Sequence, residues 1–170
     1  MRTGRKPGFT LIELVITVVI VIVVATITVP VFSQIMARQR LMGALERIAN
    51  DLRYVQSLAV TQGVVHRLHS GDDGAVGRHG EYRLERDNGL GGWTPIGTWY
   101  NPARDYNGID LVSVTDAVST PIATFDVRFN AQGALANGMG INYPIAVNFT
   151  SPSGAFRQVM VLRSGVVRIP

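Results

Sequence analysis

One carboxylate, Glu13, stands inside an otherwise uncharged run from Phe9 to Val29, directly behind the basic stretch Arg5-Lys6-Pro7-Gly8. An acid in that setting costs about 2.5–3.5 kcal/mol on the membrane-insertion scale, so it reads as a functional residue whose cationic partner has to be named. The chemistry is ion pairing: a carboxylate taken out of water is tolerable with a cation beside it and costly without one.

Other chemistry-bearing residues form weaker patterns. His66 and His69 are three apart, which puts them on opposite faces of a strand, and His79 lies in a Gly-rich stretch without cysteine, so no metal site is expected. Asp72, Asp73, Glu81, Glu85 and Asp87 could collect Ca²⁺ in principle, but their spacing matches no EF-hand loop and reads as a solvated acidic stretch. Gly89-Leu90-Gly91-Gly92 does not open a helix, which excludes a phosphate cradle. Trp93, Trp99, Tyr100 and Tyr106 cluster around Pro95 and Pro102; packing is the expected role and a partner surface the sharper one. No nucleophile, base and orienting group come together, so neither an enzyme nor a cofactor is expected.

These residues must be positioned by few elements. The 21 residues Phe9–Val29 span ~31 Å as a helix, matching the ~30 Å hydrocarbon core of a bilayer. Pro30 lacks an N–H and should kink or loosen a helix at the carbonyl of Thr26, with Thr26 and Thr28 near enough to help the freed backbone. Beyond it Phe32, Ile35, Met36, Leu41, Leu45, Ile48, Leu52, Val55 and Ala59 recur at helical spacing, with Arg38, Arg40, Arg47 and Arg53 between them, and Gly63 should end the helix near Gln62.

The period then changes to that of strands. Val64–His69, Glu81–Arg86, Gly97–Tyr100, Gly108–Val114, Thr124–Phe129, Ile145–Phe149, Phe156–Leu162 and Val166–Ile169 are expected strands, punctuated by turn residues such as Asn88-Gly89 and Ser151-Pro152-Ser153-Gly154. The fold class is therefore α+β: a long N-terminal helix, apolar in its first half and amphipathic in its second, packed on antiparallel sheet.

The formal charge of +4 includes Arg2, Arg5 and Lys6; without residues 1–8 the balance is 13 Arg against 12 acids, or +1. The leading charges thus speak of topology: the N-terminus stays in the cytoplasm and the rest of the chain is exported, in a single pass. A cleavable secretory signal is the competing reading, but no small-x-small site follows the apolar run convincingly. Cysteine is absent, so no disulfide supports the exported domain.

Gly8-Phe9-Thr10-Leu11-Ile12-Glu13-Leu14 resembles the class III leader junction and N-terminal helix of type IV pilins and type II secretion pseudopilins. That resemblance implies three segments: a leader over 1–8, a transmembrane and assembly helix over 9–30, and a periplasmic pilin-like domain over 31–170. It also implies cleavage by prepilin peptidase between Gly8 and Phe9, N-methylation of Phe9, and pairing of Glu13 with the α-amino group so created, in the same or a neighbouring subunit. Pro30, at the 22nd mature position, is a familiar feature of such helices. The implied partners are other pilins or pseudopilins, the peptidase and inner-membrane lipid; the implied destination is a pilus or pseudopilus that the subunit primes or caps.

Three further stretches, Gln39-Arg40-Leu41 through Gln56 to Gly63, Phe129-Asn130-Ala131-Gln132-Gly133, and Val161-Leu162-Arg163-Ser164-Gly165-Val166-Val167-Arg168-Ile169, look like the FimT/GspH branch. Some members of that branch bind DNA during transformation, through a C-terminal Gly-Arg-x-Arg motif. Here Gly165-Val166-Val167-Arg168 keeps the glycine and the last arginine and has valine for the first. The alternative function is accordingly uptake of double-stranded DNA through Arg163, Gly165 and Arg168. Residues 121–170 carry four Arg against Asp126 alone, which permits salt-sensitive phosphate contacts; solvated strand-face charges at Arg157, Arg163 and Arg168 are the plainer reading.

Overall fold

The computed structural model describes residues 8–71, 78–119, 126–137 and 141–170. The leader charges Arg2, Arg5 and Lys6, the acids Asp72 and Asp73, and the start of the strand expected from Thr124 lie outside the described residues. Contacts divide the chain into two units, Met1–Arg38 and Gln39–Pro170, which are described separately. Helix α1, Leu11–Gln62, contributes residues to both.

In the first unit α1 starts where Thr10 caps it. The Glu13 N–H donates to Thr10 Oγ1 at 3.3 Å, and the Thr10 N–H donates back to Glu13 Oε2 at 3.5 Å. This reciprocal pair is a capping box, worth on the order of 1 kcal/mol to the helix end. The Leu14 N–H closes the first turn on the Thr10 carbonyl. Thr17, Thr26 and Thr28 donate their hydroxyls to the carbonyls of Glu13, Val23 and Val24, so these polar groups are satisfied on their own helix, as an apolar environment requires. The hydroxyls of Thr26 and Thr28 therefore serve carbonyls ahead of Thr26. The helix assignment continues through Pro30, whose side chain lies outside the described residues. This stretch is long and apolar enough to cross a membrane by length and composition.

In the second unit the apolar stripe of α1 is buried. Leu41, Ala44, Leu45, Ile48, Ala49, Leu52, Val55 and Ala59 face inward at helical spacing. Each fully buried Leu or Ile among them contributes roughly 1.5–3 kcal/mol by area. Gly63, with φ +67°, ends the helix in the left-handed region where glycine carries no Cβ penalty.

Among the described residues the strands form two four-stranded antiparallel sheets. The first has the order β3-β2-β1-β5 and uses His66–Ser70 (β1), Tyr82–Asp87 (β2), Trp93–Tyr100 (β3) and Asp126–Phe129 (β5). The second has the order β4-β6-β7-β8 and uses Asp110–Thr115 (β4), Ile145–Thr150 (β6), Phe156–Val161 (β7) and Val167–Arg168 (β8). Leu68 and Val127 from the first sheet and Val114, Val147, Phe149, Val159 and Val161 from the second join the helix stripe in one core. All residues of that core lie between Leu41 and Ile169, so the second unit has everything it needs to fold by itself.

Several strand boundaries differ from expectation, and one element was not expected. β1 begins at His66, since Gly63–Val65 is spent on leaving the helix. β3 begins at Trp93 rather than Gly97, because it is an edge strand, where Pro95 removes no ladder bond. One helical turn, Pro102–Asp105 (α2), was not expected; Asn101 caps it through the Ala103 N–H, and proline suits its first position.

Candidate functional site

The N-terminal site is local and open. Phe9 is exposed, and a Cβ added at Gly8 would meet nothing within 4 Å. Among the described residues, therefore, nothing in the fold demands a small residue at position 8. Glu13 lies one helical turn inside, its carboxylate engaged by the Thr10 N–H. The signature Thr10-x-x-Glu13 was present in the sequence; the acid drew attention as an intramembrane charge and its capping role went unread.

The residues behind the alternative function meet in a different setting. Gly165 (φ +89°) turns the chain between β7 and β8, with its N–H on the Leu162 carbonyl at 2.8 Å. A Cβ at this position would fall far inside van der Waals contact of the Gly133 carbonyl oxygen and Gln56 Nε2. Gln56, from α1, donates to that same Gly133 carbonyl at 2.7 Å. Gly133 in turn closes the Asn130–Ala134 loop, in which Asn130 Oδ1 accepts the N–H groups of Gln132 and Ala134. The Leu135 N–H then reaches the Arg163 carbonyl at 3.0 Å. The three distant stretches that carried the resemblance to the FimT/GspH branch thus form one junction, joining α1 to both sheets.

The cations around this junction are exposed. Arg163 sits on the turn after β7 rather than on a strand face, its guanidinium 5.7 Å from the Tyr143 ring centroid, and Arg168 is exposed on β8. Arg157 is exposed on β7 and donates to the Phe156 carbonyl. Sequence reasoning missed Arg53: from α1 it donates to Asn50 Oδ1 at 3.0 Å and to the Val167 carbonyl at 3.5 Å, beside Arg168. No acid occurs from residue 127 to 170.

Of the acidic and histidine candidates, Glu85 and His69 enter an ion-paired layer on the face of the first sheet away from the core. Asp126, without exposure, binds Arg67 at 2.6 Å, Arg128 at 2.7 Å and His69 Nδ1 at 2.6 Å. Glu85, equally buried, binds Arg67 and Arg83, each at 2.5 Å. Burial pushes the Asp126 carboxyl up, but hydrogen bonds from His69 and Arg128 and the charge of Arg67 outweigh it and hold it below the usual carboxylate range. Asp87 accepts the Gly89 N–H and Glu81 pairs with Arg78, so neither faces a shared cation position. His66 is buried on the opposite face from His69, with Nδ1 on the Val64 carbonyl. Among the described residues no group of three or more metal ligands occurs.

The aromatic residues are packed. Trp93 lies 4.0 Å from the Arg67 guanidinium and 5.3 Å from that of Arg128; Trp99 lies 4.5 Å from Arg83. Such cation–π contacts contribute ~0.5–2 kcal/mol each and cover the charged layer. Tyr106 occupies the space left by Gly43, where a Cβ would overlap its ring. Tyr82 donates to Asp51 at 2.6 Å; burial, aided by that carboxylate, drives its phenol well above the usual range.

A family model described as the prokaryotic N-terminal methylation motif matches residues 4–29. No curated protein matches the chain by sequence. Among solved structures the chain is similar to the type IV minor pilin FimU of Pseudomonas aeruginosa PAO1, at 15% identity over 78% of this chain and 90% of that one, with a TM-score of 0.54. It is also similar to the minor pseudopilin EpsH from the type 2 secretion system of Vibrio cholerae, at 10% identity over 77% and 96%, with a TM-score of 0.55. The prepilin-type motif identifies the N-terminal segment, and at these identities the structural likeness shows the fold: that of minor pilins and pseudopilins.

Proposed function

We propose that this chain is a minor pilin or pseudopilin subunit that primes or caps a pilus or pseudopilus. Prepilin peptidase cleaves between Gly8 and Phe9 and methylates the new amine; the apolar helix holds the subunit in the inner membrane with residues 31–170 in the periplasm. One observation carries this reading: the Gly8-Phe9 junction stands one helical turn before the first acid of an apolar helix, inside the segment matched by the methylation motif.

Assembly exchanges lipid contacts of Phe9–Val29 for contacts with other pilin helices. Glu13 then supplies register, because a subunit whose carboxylate misses the Phe9 ammonium keeps an uncompensated charge in a low-dielectric bundle, at a cost of several kcal/mol. Pro30 gives the helix a place to loosen as it packs. Glu13→Ala is expected to leave membrane insertion intact and to abolish incorporation or priming, read by fractionating membranes and sheared filaments. Normal incorporation of the variant would remove Glu13 from this role.

A second reading, capture of double-stranded DNA, is favoured by the acid-free C-terminal stretch. There Arg53 stands beside Val167–Arg168 and offers a cation near Val166, which replaces the first arginine of the motif.

A further inference from the structure

The turn Asp87–Gly92, between β2 and β3, contains the pair Asn88-Gly89. The side-chain amide of an asparagine before glycine is open to attack by the glycine nitrogen, because no Cβ on the following residue stands in the way. Three groups are arranged around that reaction here. Asn88 Oδ1 accepts the N–H groups of Leu90 and Gly92 at 2.9 Å each. Two donors on one carbonyl oxygen polarise Cγ and already stand where negative charge develops when Cγ becomes tetrahedral. Asp87 Oδ1 accepts the Gly89 N–H at 2.8 Å, so a carboxylate touches the proton that the attacking nitrogen has to lose. The bond from the Leu90 N–H closes a ring that contains both Asn88 Cγ and the Gly89 nitrogen, which limits how far apart the two can move.

The surroundings admit both the leaving group and water. A Cβ added at Gly92 would lie 2.8 Å from Asn88 Nδ2, so glycine there leaves the departing nitrogen its space, and a Cβ at Gly89 would meet nothing within 4 Å. Asn88, Gly89 and Leu90 are exposed. The chain also supplies a comparison. Asn107-Gly108 is the same pair with an equally exposed asparagine, but its Gly108 N–H is held by the Ala103 carbonyl at 3.1 Å, a far weaker base than a carboxylate.

We propose that Asn88 is a self-modification site, at which the Asp87–Gly92 turn converts the side-chain amide to an acid through a cyclic imide. The Gly89 nitrogen attacks Asn88 Cγ, its proton passes to Asp87, and an N–Cγ bond forms. Asp87 then returns the proton to Nδ2 as the Cγ–Nδ2 bond breaks and ammonia leaves. Water opens the imide at either of its carbonyls, giving aspartate or isoaspartate at position 88. One water is consumed, one ammonia is released, and nothing is oxidised or reduced. The product places a second negative charge beside Asp87 at the hairpin tip. This chemistry uses neither the Gly8–Phe9 junction nor Glu13 and goes beyond the proposed function.

The test is incubation of residues 39–170, whose core is self-contained, in heavy-oxygen water near neutral pH, followed by peptide mapping by mass. In the folded fragment Asn88 should take up labelled oxygen at least about tenfold faster than Asn107, a modest share of what a positioned base contributes, and yield both aspartate and isoaspartate. In urea, where the turn is lost, the two rates should converge. Asp87→Asn keeps an oxygen for the Gly89 N–H and removes the base. It should slow Asn88 by about tenfold or more, with Asn107 and the circular dichroism spectrum unchanged. Conversion of Asn88 no faster than that of Asn107 in the folded fragment, a preference that persists undiminished in urea, or full speed in a folded Asp87→Asn variant would overturn the proposal. The comparison of folded and urea-unfolded wild type decides the matter without the variant.

Discussion

Gly165→Ala tests whether the C-terminal glycine holds the fold together. The wild-type residue sits at φ +89°, a conformation that costs an L-residue roughly 1–2 kcal/mol. The added Cβ also overlaps the Gly133 carbonyl and Gln56 Nε2, so the turn must move away from α1 and the 2.7 Å bond between those two groups is lost, at about 0.5–1.5 kcal/mol net. Together these give a destabilisation of roughly 1.5–3.5 kcal/mol, before any further repacking. Urea unfolding of residues 39–170 followed by circular dichroism measures it, with Gln56→Ala as the second arm of a double-mutant cycle. If the two positions act through one junction, their effects should fall short of additive by 0.5 kcal/mol or more on the usual scale of coupled neighbours. Arg163→Ala and Arg168→Ala, on exposed side chains, should each stay within about 0.5 kcal/mol of wild type. A Gly165→Ala fragment as stable as wild type would refute the reasoning, and the junction would then be a close approach without energetic weight.

Three other outcomes follow from the same structure. Ile48→Ala, at a fully buried position of the helix stripe, should cost about 2–5 kcal/mol in the same unfolding assay. Because the folded Asp126 carboxyl lies below its unfolded value of about 3.9, its stabilisation is present above that pH and is lost as pH falls toward the folded value; a pH series of unfolding midpoints should show this acid limb, and Asp126→Asn should flatten it while destabilising the domain by leaving Arg67 and Arg128 without their shared acid. If DNA is a ligand, residues 39–170 should bind duplex DNA at low salt, lose affinity steeply with added salt, and lose it further in an Arg53→Ala/Arg163→Ala/Arg168→Ala variant; no binding at low salt retires that reading.

Much of the helix and its punctuation was legible in the sequence. The stripe from Leu41 to Ala59 has one period, and Gly63 stood where the backbone needs a positive φ. Strands separated by Asn-Gly and Ser-Pro-Ser-Gly turns were found within a few residues, since turn chemistry is local. The division into two sheets was not legible. β1 pairs with β5 across the β2–β3 hairpin, α2 and β4, and β4 pairs with β6 across β5, and such pairings are decided by the finished core. Polar residues that alternate on a strand read as solvent-facing, which hid the buried Asp126 and Glu85. Glu13 stood out because an acid in an apolar run is conspicuous by composition alone. The Gln56–Gly133–Gly165 junction shows the opposite case: its parts were quoted from three stretches, yet only the folded chain brings them together.

The central claim is most directly tested at the N-terminus. Full-length chain produced in membranes with and without a prepilin peptidase is digested, and the N-terminal peptide is identified by mass. The account predicts a peptide that begins at Phe9 and carries one methyl group on its amine, appearing only with the peptidase. A chain that keeps residues 1–8 in the presence of an active peptidase would contradict it.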